Sequence, residues 1–208
     1  MKLITILSIM LLAFSSYAQQ TNIEVQPTGV YKEIKTENDL RVCNLLADIA
    51  FTGKDKLIDS IEQNPNIYTP PVLYFLSNTL FSLKRYNDAE YWFYIAQLRA
   101  RYDVNRCTDK TASAAQYNTT FGPQINEYAI KNIEVLEQIV KKVVAFVKTN
   151  EEQYDPRWIN LTGIGAFLGD KTKNEPLRLD KNQWPAIKAK TIDDYYTGFI
   201  ELVASPHK

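Results

Sequence analysis

Three arginines carry the densest chemistry in the sequence. Arg99, Arg101 and Arg106 lie within eight residues of one another, beside Tyr94 and Tyr102 and ahead of Lys110. A guanidinium grips a carboxylate through two parallel N–H donors and stacks on aromatic faces, so this cluster can hold an acidic peptide, the terminal carboxylate of a polypeptide or another anion. A purely local role competes with that reading. Cations suit the C-terminal end of a helix, and Arg99 can pair with Asp103 four residues further on.

Nucleophilic and acid–base chemistry has less to work with. The single imidazole, His207, is the penultimate residue and is expected to fray, which leaves no positioned base for a Ser-His-Asp or Cys-His site. Ser82 and Lys84 stand two apart on a helix and do not face one another. Gly163-Ile164-Gly165 through Gly169 is one residue too long for a dinucleotide fingerprint, so its glycines are read as close helix packing and a helix stop. Glu151-Glu152-Asp155 and Asp193-Asp194 are the acidic groups from which a glycosidase-like carboxylate pair would have to come. Adjacent helical residues point about 100° apart, so these acids are instead expected at a helix end and on a solvated face. No catalytic residue is assigned. Two distant cysteines and one terminal His offer no zinc spacing, no Asp-rich loop matches an EF-hand, and neither a metal nor a cofactor is expected.

The elements that must position these groups belong to a polypeptide of 208 residues whose 24 Lys+Arg balance 24 Asp+Glu. That balance removes the electrostatic footprint of a nucleic-acid binder. Met1-Lys2, the apolar run Leu3 to Phe14 and Ser15-Ser16-Tyr17-Ala18 have the pattern of a cleaved signal peptide over residues 1–18. The run is too short to span a bilayer and no later one is longer, so an exported protein, periplasmic or secreted, without stable membrane insertion is expected. In an oxidising compartment Cys43 and Cys107 are expected to pair as a disulfide; two separate buried thiols are the alternative, since Cys43 lies on an apolar helix face.

Beyond an extended arm at 19–35, with its brief alternation of Ile23 and Val25, the pattern over 36–208 is that of one mainly α domain built from antiparallel helical hairpins. Thr36 and Asp39 resemble a capping box ahead of the face Leu40, Cys43, Ala47, Ala50 and Phe51, ending at Gly53. Leu57, Ile58 and Ile61 mark a second helix closed by Asn64-Pro65-Asn66. Pro70 then suits a first helical position ahead of Leu73, Leu76, Leu80 and Leu83, with a turn at Tyr86-Asn87-Asp88. The following helix, to Tyr102, is apolar on two sides. Only Glu90, Tyr94, Gln97 and Arg101 form a polar strip, so this helix is placed between two layers at the centre of the domain.

The spacing of Leu73, Leu76, Ser77, Leu80, Tyr86, Ala89, Phe93 and Ala96 resembles one tetratricopeptide or Sel1-type helical repeat over about 70–103. It departs from the tetratricopeptide pattern at Arg101, where that consensus has Pro, and no second copy is in register. The resemblance implies a central hairpin of the kind that serves as a peptide- and protein-binding scaffold. Tyr91-Trp92-Phe93-Tyr94 and Gly122 to Asn126 also resemble exported bacterial proteins of uncharacterised function.

Residues 103–122 are polar and suit a long connection. Gly122-Pro123 restarts a short helix, and Asn132 can cap a longer one whose face is Leu136, Ile139, Val140, Val143, Phe146 and Val147. A short segment from Trp158 to Leu168, a polar loop near 171–176 and a last helix that Asn182 could cap complete the sequence. The function these features support is an exported envelope scaffold that takes a protein or peptide partner, acidic where the arginines meet it, in a groove beside the central hairpin. Two alternatives stay open: an inhibitor or immunity-type protein that blocks an exported enzyme, and a carboxylate-dependent envelope hydrolase. No feature dictates an oligomeric state.

Overall fold

Asp39 shows at once how packing redirects a local signal. The computed structural model describes residues 28–168 and 176–204, and the expected signal peptide at 1–18 and the Ile23/Val25 alternation lie outside them. Helix α1 spans Glu37–Ala47, but the Thr36 hydroxyl does not cap it. Asp39 leaves its own helix end and accepts from Thr69 Oγ1 at 2.5 Å, at the start of a helix thirty residues on. Val42, Cys43 and Leu46 are the buried face of α1. The helix stops at Ala47 rather than running to Gly53, because Asp48 Oδ1 takes the Ala50 N–H and turns the backbone. Before it, the expected extended arm is a 3₁₀ turn at Gly29–Glu33; Gly29, with φ 57°, supplies the left-handed entry, and Tyr31 and Ile34 bury against Ala166.

Helix α2 (Lys54–Gln63) buries Ile58 and Ile61 and ends where Asn64 meets Pro65. The central hairpin follows. Pro70 opens α3 (Pro70–Ser82), and α4 (Tyr86–Asn105) returns antiparallel to it. The turn is Leu83–Arg85, earlier than the pattern suggested, with Lys84 at φ 63°. Small residues let the two helices approach: Ser77 Oγ donates to the Ala89 carbonyl at 2.7 Å, and Ala89 and Ala96 are fully buried.

Helix α4 sits among α3, α5, α6 and α8. Helix α5 (Ala115–Ala129) occupies much of what the sequence suggested was a connection, and it carries Pro123 inside it. The lost backbone bond is offset by the stripe Phe121, Ile125 and Ala129 packed inward and by Gly122, where a Cβ would lie 3.2 Å from the Phe93 ring. Asn132 caps α6 (Ile133–Thr149) by accepting from Val135 N, and Leu136, Ile139, Val140, Val143 and Val147 form its buried face. Burying each of those side chains contributes roughly 1.5–3 kcal/mol.

The tail is tied down piece by piece. A 3₁₀ segment at Pro156–Thr162 begins at Asp155, whose carboxylate accepts from Arg157 N. Short α7 (Ile164–Leu168) follows, then Leu179 N and Thr108 N bond across to Arg106 O and Leu177 O. Asp180 rather than Asn182 caps the turn leading into α8 (Trp184–Ala204), and the only β pairing among the described residues is the isolated bridge Cys107–Arg178. The fold is thus mainly α, with no helix among the described residues long and apolar enough to cross a membrane.

Candidate binding site

Sequence position grouped the arginines, and packing buries most of them. Arg99 is fully buried and donates to the Pro65 carbonyl at 3.0 Å and to Asn66 Oδ1 at 2.5 Å. It does not pair with Asp103. That carboxylate takes Arg106 at 2.5 Å, the Tyr154 hydroxyl at 3.0 Å and the Trp158 indole N–H at 2.7 Å. Burial pushes the Asp103 carboxyl up to about 6, against the opposing pull of Arg106 and the Trp158 N–H. Arg106 lies between the Tyr102 and Trp184 rings, 4.1 and 4.5 Å from their centroids; although burial works against its charge, Asp103 holds it above the ordinary range. Tyr102 is buried, its hydroxyl directed to the Trp184 carbonyl.

Only Arg101 of the three arginines is exposed, and it stacks on Tyr195. The expected anion-capturing surface is therefore corrected: Arg99, Arg106 and Tyr102 are internal struts. The polar strip of α4 is covered as well. Tyr94 donates to Asn126 Oδ1 at 3.0 Å, and Gln97 receives the Tyr195 hydroxyl at 2.8 Å while donating to Asn118, so α5 and α8 meet α4 through amides and phenols. Burial raises the Tyr94 hydroxyl well above its usual value.

The acidic groups are equally committed. Glu152 pairs with Lys188 at 3.2 Å, Asp155 caps the 3₁₀ segment and binds Arg157, and Asp194 pairs with Lys190 at 2.9 Å. Among the described residues no group of three or more His, Cys, Asp or Glu side chains could hold a metal ion. Cys43 and Cys107 are both free and buried, which corrects the expected disulfide. They serve different neighbourhoods: Cys43 faces inward from α1, whereas Cys107 ends α4 and accepts from Asn160 Nδ2 at 3.1 Å.

What the fold builds instead is a cavity of about 340 Å³ at the end of the hairpin where α3 begins. Helix α1 supplies Asp39, Leu40 and Cys43; Thr69 and Pro71 come from the start of α3, and Tyr117 from α5. Trp158, Leu161 and Thr162 close one wall, Ala166 and Phe167 another. The lining is mostly apolar. Its mouth is also apolar: Leu40 is 59% exposed and Phe167 62%, with Ile164 at 55% and Leu168 at 70% on the same short helix. Apolar side chains left open around a concave, preformed site are the ordinary mark of a binding surface.

The wall carrying Phe167 is positioned by the loop after α4. Ile164 N donates to Thr111 Oγ1 at 2.8 Å and Gly165 N to Asp109 Oδ2 at 3.2 Å, which satisfies the first turn of α7. A Cβ at Gly163 would collide with the Asp109 carboxylate and one at Gly165 with the Tyr31 hydroxyl, so both glycines are needed for that approach.

Within the cavity, Asp39 is raised by burial against the lowering effect of its Thr69 bonds. Burial, helped by the Asp39 charge, pushes the Cys43 thiol up to about 12, so it is an inert, protonated wall group rather than a nucleophile. Burial likewise lifts the Tyr117 hydroxyl to about 12. None of these side chains stands out as a site residue in the sequence. The available signals were Leu40 and Phe167-Leu168, apolar residues that the buried helix faces do not use. Against known proteins, no family model matches this sequence, and neither a curated protein nor a solved structure matches it.

Proposed function

We propose that this protein is an exported binding scaffold of the cell envelope that takes an apolar group of a protein or peptide partner into the cavity beside its central hairpin. The carrying observation is the preformed 340 Å³ cavity whose mouth is rimmed by exposed Leu40 and Phe167. Export is supported by the residue pattern of 1–18. Binding rather than catalysis is favoured because Asp39 is the one carboxylate among the lining residues, beside a thiol held protonated, which leaves no acid–base pair at the cavity.

Selection of a displayed random-peptide library on the purified protein tests this. Enriched peptides should share an apolar anchor residue, and their binding should be lost in the folded Leu40→Asp/Phe167→Asp variant. Both positions are exposed, so the fold should tolerate the changes. Undiminished binding to that variant would remove the cavity from the account.

A further inference from the structure

We propose that the cavity selects an organic cation, a primary ammonium carried on an apolar arylalkyl body, with Asp39 as its counter-charge. This rests on the reading of the cavity as the binding site and names the chemistry of the occupant.

Asp39 is the feature that a purely apolar pocket does not need. Its carboxylate stands in the cavity wall, accepts from Thr69 Oγ1 through Oδ2, and makes no ion pair with any cation among the described residues. A carboxylate taken partly out of water without a counter-charge is costly, and the rise of its pKa on burial records that cost. Other buried carboxylates of this protein are treated differently: Asp103 has Arg106, and Glu152 has Lys188. An ammonium entering the cavity would supply to Asp39 what the fold supplies to those two.

The neighbours favour one positive charge and no more. Cys43, one turn along α1, and Tyr117 opposite are held protonated by burial, so Asp39 is the single anionic group of the lining. Tyr117, Trp158 and Phe167 are aromatic, which suits both a flat apolar body and an adjacent cation. The cavity is near the lower end of small-ligand sites, roughly 300–1,000 Å³, and so fits one ring with a short linker. A free arylalkylamine and the N-terminus of a peptide that begins with an aromatic residue both offer this chemistry.

The test is a titration followed by protein NMR, reading the Trp158 indole N–H and the neighbouring amides, with 2-phenylethylamine and its neutral match 2-phenylethanol. The amine should bind roughly tenfold more tightly, and Asp39→Asn, which keeps an acceptor for Thr69, should bring the two to near equality. Equal binding of amine and alcohol to the unaltered protein would overturn the proposal and leave the apolar cavity standing; no shift at the cavity with either probe would overturn both. Should Asp39→Asn fail to fold, added salt replaces it: the amine's affinity must fall with ionic strength while the alcohol's does not, and parallel behaviour overturns the proposal. Phe-Ala-Ala amide with a free or an acetylated N-terminus separates the sources. Tighter binding of the free peptide than of 2-phenylethylamine identifies a peptide terminus, and the reverse identifies a small amine.

Discussion

Trp158 donates its indole N–H to Asp103 Oδ2 across 2.7 Å, so one residue both forms a wall of the cavity and closes a buried charge cluster at the far end of α4. Cavity shape and core electrostatics are therefore coupled. Trp158→Phe keeps a ring in the wall but takes one of three donors from a fully buried carboxylate. The expected loss is about 1–3 kcal/mol, read as a lower urea midpoint with an unchanged slope. An unshifted midpoint would mean that the bond contributes nothing to the native state.

The arginines should separate sharply. Arg99→Met removes a buried cation from Asn66, the Pro65 carbonyl and the neighbourhood of Glu152, and should cost about 3–5 kcal/mol. Arg101→Gln loses only a stack on Tyr195 at an exposed position and should cost less than about 1 kcal/mol. Calorimetric melting of the two variants decides this, with similar melting temperatures as the contrary result.

The periodic parts of the sequence were readable because their information is local. The 136–147 stripe with Asn132 ahead of it, and Pro70 at a helix start, each specify an element without help from elsewhere. Pro123 and its polar surroundings argued for a connection, yet Phe121, Ile125 and Ala129 pack α5 as a continuous helix, a tertiary gain that outweighs the local cost. Glu90, Tyr94 and Gln97 looked like a solvent face for a similar reason. Periodicity separates polar from apolar, but it cannot show that Asn118, Asn126 and Tyr195 will come to meet that strip. The cavity was least visible of all, because its lining is drawn from segments scattered between Thr36 and Phe167.

Free thiols make a simple prediction. Intact mass should be the same with and without reductant. Iodoacetamide should label neither Cys43 nor Cys107 in the native protein and both in denaturant without reduction, since both are buried and burial raises both thiols. A two-dalton gain on reduction, or protection in denaturant, would show a disulfide.

Glu90 predicts a pH dependence. It is buried on α4, its Oε2 has no hydrogen-bond partner, and burial alone lifts its carboxyl from 4.5 to about 7. With the folded value above the unfolded one, its stabilising contribution is fully present below about 4.5 and is lost as pH rises through 7. The span corresponds to up to about 3 kcal/mol. Glu90→Gln should flatten that decline, so that its advantage over the unaltered protein grows from pH 4.5 to 8 in urea melts. A constant difference across the range would contradict this.

The central claim, that the cavity between α1 and α7 is where this protein binds, is tested most directly by intermolecular NOEs to a selected peptide. The account predicts contacts from the peptide's apolar anchor to Trp158, Leu40 and Phe167. Contacts confined to another face, with none to those three residues, would contradict it.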